Sequence, residues 1–180
     1  KQAAQLAELR SILAEEATSP STTSNSKTNG NYQQAYNNIA AMLNGNAPLS
    51  IKDAYFQIEN AFGNPYLAYE EYSSIIEKSA DFIKTWLLQN GYKLNDNNAL
   101  NIGIQRFMSD TLTIKVRLPD NRIASKQITH FPFIYDYEDF KGERDFRNYF
   151  STKTFATGSG QCNSLPAVYL ILAEAIGAKA

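Results

Sequence analysis

Apolar residues first recur at three- and four-residue spacing over residues 2–17, where Leu6, Leu9, Leu13 and Ala17 share a face and predict a short amphipathic helix. The pattern then stops. Over residues 18–31 nearly every side chain is Ser, Thr or Asn, broken by Pro20 and Gly30. Such a stretch has too little apolar surface to order itself and reads as a flexible linker or long loop. Helical spacing returns over residues 32–43, ending near Gly45, and again from Ser50, a good N-cap, to about Phe62. The longest helix is predicted directly after Asn64-Pro65, a cap followed by a first-turn proline. Tyr69, Tyr72, Ile76, Ile83 and Trp86 form its predicted buried stripe, and Gly91 its stop. Residues 97–109 predict one more helix.

The period changes at Thr111. Leu112, Ile114, Val116 and Leu118 alternate with Thr113, Lys115 and Arg117, a strand pattern. Pro119-Asp120-Asn121 makes a turn, and residues 123–131 return as a second strand. Residues 133–155 are aromatic and charged without a period, predicting loop and short helix around the core. The glycine-containing run 157–162 reads as a flexible approach to a last helix, whose apolar positions are Leu165, Val168, Tyr169, Leu172 and Ile176, with Gly177 as its stop. The pattern therefore predicts an α+β chain. Residues 1–31 form a helix and linker, 32–109 a helical region, and 110–180 a part with short antiparallel strands and a closing helix.

Composition narrows the function. Hydrophobic residues are 43% and aromatics 12% of the 180, enough for a packed core. The 17 basic and 18 acidic residues nearly cancel and no basic run stands out, which argues against nucleic-acid binding and against an electrostatic membrane anchor. No apolar stretch approaches the roughly 20 residues of a membrane span. One cysteine and one histidine leave neither a disulfide framework nor most zinc sites, and no cofactor is expected. Lys1, with no initiator Met or secretory segment, reads as the start of a processed or trimmed protein. Abundant Asn, Ser, Thr and Tyr suit a bacterial surface or periplasmic setting.

The one cysteine carries the chemical interest. Pro166 has no N–H and fits the first turn of a helix, so the last helix is predicted to begin between Cys162 and Leu165. Cys162 then sits at a helix N-terminus after Gly158 and Gly160, which let backbone or substrate approach closely. A helix terminus favours a thiolate by at most about 2 kcal/mol; the further activation of a cysteine nucleophile needs an imidazolium partner. A cysteine is also commonly a small buried hydrophobe, and the spacing leaves both readings open.

Gly160-Gln161-Cys162-Asn163-Ser164-Leu165-Pro166, followed by Tyr169-Leu170, Leu172-Ala173-Glu174 and Gly177-Ala178, resembles the cysteine-helix motif of the transglutaminase-like superfamily, with its papain-like cysteine core. The match is to the bacterial branch with a Cys-x-Ser-Leu-Pro signature. The run from Tyr135 to Phe140, with Gly142 and Asp145 after it, resembles the approach to that cysteine. The resemblance covers about residues 135–180. It implies that Cys162 is a nucleophile attacking a glutamine side chain or peptide carbonyl, with its own N–H as an oxyanion donor. It also implies a protein or peptide substrate, and a His and an Asp supplied downstream of residue 180.

Other residues have blander readings. His130 is a candidate base, since triads occur in several chain orders, but reads better as a strand-end histidine facing solvent. Gln161 is a candidate oxyanion donor and reads better as a loop residue; Asn163 and Ser164 read as caps. Asp136, Glu138 and Asp139 lack calcium-loop spacing and read as a solvated acidic turn. Three functions remain: a cysteine peptidase, amidase or transamidase, incomplete in this chain; a non-catalytic protein- or peptide-binding module of the same fold; and a helical scaffold with an incidental cysteine.

Overall fold

The structure, a computed structural model, describes residues 28–117 and 125–179. The helix expected at residues 2–17 and most of the expected linker lie outside the described residues. The chain divides into two compact units, Lys1–Leu49 and Ser50–Ala180. The first contains α1 (Thr28–Leu43), which begins four residues before the expected start at Tyr32 and takes in the end of the Ser/Thr/Asn-rich run. The second contains α2 (Ile51–Ala61), α3 (Tyr69–Gln89), α4 (Asn97–Ser109), β1 (Leu112–Arg117), β2 (Ser125–His130) and β3 (Ile134–Tyr135). A 3₁₀ turn (Phe146–Tyr149), α5 (Ser151–Thr157), β4 (Ser159–Gly160) and α6 (Ser164–Ile176) follow. The fold is α+β, its described residues helical up to Ser109, as the change of period predicted.

Local signals account for most boundaries. Ser50 caps α2, its Oγ accepting from the Asp53 N–H at 3.2 Å. At the end of α6 the Ala178 N–H reaches the Ala173 carbonyl at 2.8 Å and the Gly177 N–H that of Glu174 at 3.2 Å, a Schellman stop that needs the left-handed φ of +81° at Gly177. The same pattern closes α3 at Gly91 and α1 at Gly45.

One start was misplaced. The Asn64 side chain accepts from the Tyr66 N–H at 2.9 Å and donates to the Leu67 carbonyl at 3.0 Å, so Asn64-Pro65 closes a turn. The helix begins four residues later, where Glu71 reaches back to the Ala68 N–H at 3.2 Å. Tyr69 is therefore in the first turn, exposed, with its hydroxyl on Asp53 at 2.8 Å. The buried stripe of α3 is Tyr72, Ile76, Ile83 and Leu87, with Trp86 only half-buried.

The core of the second unit forms around α6. Val168, Ile171 and Leu172 are fully buried against Ile83 of α3, Ile104 of α4 and Leu112 of β1, in one cluster that runs across residue 109. Each such side chain stabilises the fold by about 1.5–3 kcal/mol. β1 and β2 pair antiparallel with Ile114 opposite Ile128, and alternation buries Leu112 and Ile114 while Thr113 and Lys115 face solvent. β3 and β4 pair in parallel, Tyr135 opposite Gly160. No pattern along the chain pointed to that pair, because two-residue strands have no period. It ties the approach to Cys162 to the chain 25 residues upstream, in place of the flexible approach expected.

Candidate functional site

Cys162 is exposed, two residues before the first residue of α6. The helical turn already starts at Gln161, whose carbonyl accepts the Leu165 N–H at 2.9 Å while its own N–H donates to Ser164 Oγ at 2.9 Å. This is one half of a capping box, in which the side chain three residues into the turn closes on the amide that opens it. Cys162 is thus the first residue inside the turn, where backbone N–H groups have no helical acceptor. Pro166 cannot donate to the Cys162 carbonyl, so the corner stays polar on both sides.

Gly160 and Gln161 hold this corner from beneath. A Cβ at Gly160 would lie 2.8 Å from Thr154 Oγ1 and 2.9 Å from Ser164 Oγ, both fully buried. The close approach this glycine permits is to the core. The Gln161 side chain is fully buried and donates from Nε2 to the Asp139 carbonyl; its Oε1 has no partner among the described residues. Gln161 therefore anchors the corner, and its N–H groups face the interior.

The acidic turn is not a solvated one. Asp136 pairs with the nearly buried Lys153 at 2.7 Å, and that ammonium holds its carboxyl below the usual range. Partial desolvation pushes the Asp139 carboxyl up, but donors outweigh it and hold it below the ordinary value: Asn148 Nδ2 at 2.8 Å and the N–H groups of Asp145 at 3.1 Å and Arg144 at 3.2 Å. Glu138 alone of the three is exposed with its carboxylate uncommitted among the described residues. Partial desolvation, first of all, raises the phenols of Tyr135 and Tyr149 above their usual value. Neither tyrosine was singled out from the sequence as a site residue.

His130 is not solvent-facing. Its ring stacks on Phe107 with centroids 3.6 Å apart and planes 7° from parallel, and Nε2 donates to the Phe107 carbonyl at 2.7 Å. Its other ring neighbours are Phe82 and Phe133, so the structure groups it with the hairpin and α4, away from Cys162. Burial lowers the His130 pKa, outweighing the bond to Phe107 that favours the imidazolium. The unfolded chain then takes up its proton first, near pH ~6.5. Stability contributed by neutral His130 is complete above that pH and lost as pH falls toward the folded pKa. Urea midpoints of the wild type should drop between about pH 7 and 5, and the drop should flatten in His130→Gln; equal slopes would contradict the assignment.

Two clefts lie elsewhere. One of about 470 Å³ is lined by Lys52, Glu77, Asp81, Lys84 and Glu174 over an Ile76 and Ile171 floor. The other, about 520 Å³ and mostly apolar, lies between α3 and the hairpin, with Phe82, Ile114, Ile128 and His130 in its walls. Cys162 lines neither. Among the described residues no three His, Cys, Asp or Glu side chains converge as metal ligands would, and no helix is long and apolar enough to cross a membrane. No protein-family model matches the chain, and searches of curated proteins and of solved structures return no match.

Proposed function

We propose that this chain carries the nucleophile corner of a transglutaminase-like, cysteine-dependent acyl-transfer protein acting on protein or peptide substrates outside the cytoplasm of a bacterium. The observation that carries the reading is the exposed thiol of Cys162 on the opening turn of α6, on a corner fixed by Gln161 and Ser164. In the proposed step the thiolate attacks an amide carbonyl carbon. A C–S bond forms, the C–N bond breaks, and the amine leaves with a proton supplied by a general acid. Water or a second amine then takes the acyl group and returns the thiol. The first-turn N–H groups are suited to the oxyanion.

The base is the missing part. His130 is committed to Phe107, so the 180-residue chain alone is expected to show no turnover of a glutamine-amide or peptide substrate. Release of ammonia or amine that disappears in Cys162→Ala would overturn that expectation and promote His130. The nucleophile itself is tested by iodoacetamide labelling of the native chain. Cys162 should label without denaturant, and Cys162→Ser should not label; a sulfur that reacts only after unfolding would leave the scaffold reading. The alternative, a non-catalytic peptide-binding module, is favoured by the exposed Tyr137 and Phe140 beside the corner. It predicts peptide binding unchanged in Cys162→Ser.

A further inference from the structure

We infer that the outer edge of β2 is a docking site for an extended segment of another protein. The segment adds a third strand to the hairpin and lays apolar side chains, at every second position, in the cleft beneath. This does not rest on the role of Cys162. Its first support is the direction of the main chain. Gln89 of α3 meets Lys115 as a strand would, its Oε1 accepting from the Lys115 N–H at 3.0 Å and its Nε2 donating to the Lys115 carbonyl at 2.6 Å. Lys115 therefore turns both main-chain groups away from β2. In an antiparallel ladder the residue opposite such a position turns its own groups outward as well. Gln127 is opposite Lys115, and Thr129 opposite Thr113, so the N–H and carbonyl groups of Gln127 and Thr129 point away from β1. They meet no hydrogen-bond partner among the described residues. One edge of the hairpin is closed by a side chain, and the other is open.

The second support is the apolar cleft of about 520 Å³ between α3 and the hairpin, a size at which ligands are held. Its walls include Ile75 and Phe82 of α3 and Ile114 and Ile128 of the hairpin, and Ile128 is left 41% exposed. Thr129 lines it too, although its hydroxyl meets that of Thr113 at 3.1 Å on the opposite face of the hairpin. What Thr129 offers the cleft is therefore main chain. The open ladder and the cleft are contiguous, and only an extended chain satisfies both: it bonds the edge through alternate residues and turns the side chains between them alternately to solvent and to the cleft. The walls select apolar side chains for the inward positions. A second copy of this chain suits the site poorly. Pairing two β2 strands about a two-fold axis at Gln127 sets Lys126 of each copy opposite Ile128 of the other. Both residues lie on the cleft face, so an ammonium would enter apolar walls.

The probe is a capped, fluorescein-labelled heptapeptide in which Val alternates with Thr, titrated into the full chain by fluorescence anisotropy. Wild type should bind it saturably, and the Gln127 and Thr129 amides should exchange with deuterium roughly tenfold more slowly once it is bound. Methylating the peptide nitrogens that face the edge should weaken binding by about tenfold or more, because those donors are lost. Gln127→Pro should weaken it by a similar factor while the hairpin stays paired, since it removes only an outward N–H. Ile128→Lys should weaken it by putting a charge in the cleft. Equal affinity for the methylated peptide, or no saturation by about 1 mM, overturns the proposal. So do Gln127 and Thr129 amides already protected in the free chain, which would mean that its own residues cover the edge. Self-association that is lost in Gln127→Pro would give the edge to a second copy and overturn it as well.

Discussion

Glu59→Ala should lower the unfolding free energy of this protein by about 3–5 kcal/mol, a large part of the stability of a small domain. Glu59 is buried with no cation beside it among the described residues, and its carboxylate is the acceptor that opens α5. Oε1 takes the Ser151 N–H at 2.6 Å and the Ser151 hydroxyl at 2.7 Å; Oε2 takes the Thr152 N–H at 3.0 Å and the Thr152 hydroxyl at 2.6 Å. A carboxylate cannot donate, so the Ser151 hydroxyl spends its proton on Glu59. Tyr72 must then donate to Ser151 across their 2.9 Å contact. Burial, first of all, raises the Tyr72 phenol well above its usual value and keeps that donor protonated. Alanine removes both carboxylate oxygens and leaves the Ser151 and Thr152 N–H groups buried, each costing about 1–3 kcal/mol if unpaired, while the Thr152 hydroxyl keeps Asn64 Oδ1 at 3.1 Å. Glu59→Gln keeps one acceptor and should lose less. The check is a urea titration of both variants with unchanged m. An alanine variant within about 1 kcal/mol of wild type would mean that water replaces the carboxylate without cost.

Gly160→Ala is the second substitution with a large expected effect, and its comparison with Gly158→Ala is informative. Gly158 has a φ of +70° and open space around it, so a methyl group there costs only the left-handed backbone, about 1–2 kcal/mol. Gly160 has no such φ, yet its Cβ would press on Thr154 and Ser164, both fully buried. Overpacking costs about 1–3 kcal/mol. Moving Ser164 Oγ also strips the Gln161 N–H of its acceptor, a further loss of about 1–3 kcal/mol. Gly160→Ala should therefore be the more destabilising of the two, and should also slow labelling of Cys162 as the corner shifts. Thermal or urea midpoints ranked the other way would show that positive φ, and not packing, is what these glycines are for.

Where a boundary depends on neighbours in the chain, it was legible without coordinates. The caps and stops at Ser50, Gly91 and Gly177, the strand alternation of Leu112 and Ile114, and the start of the last helix near Cys162 all follow from side chains within a few residues of one another. The Asn64-Pro65 start failed for a local reason as well, since asparagine can close a turn as readily as it caps a helix, and the side chain bonded within its own turn.

What the tertiary structure decided has in common a partner far away along the chain. Glu59 stands in the apolar phase three residues after Phe56, and its donors lie more than ninety residues on. Glu174 is another such case, its carboxylate capping α2 through the N–H groups of Ile51 and Lys52 at 2.9 and 3.0 Å. His130 read as exposed until Phe107 supplied both a stacking face and a carbonyl. The sequence by itself determined the α+β order of elements and placed Cys162 at a helix start, because capping and periodicity act over one or two turns. Burial of a charge and the bond from Gln161 to the Asp139 carbonyl were decided only when distant segments met, because a polar group's environment depends on which segments fold against it.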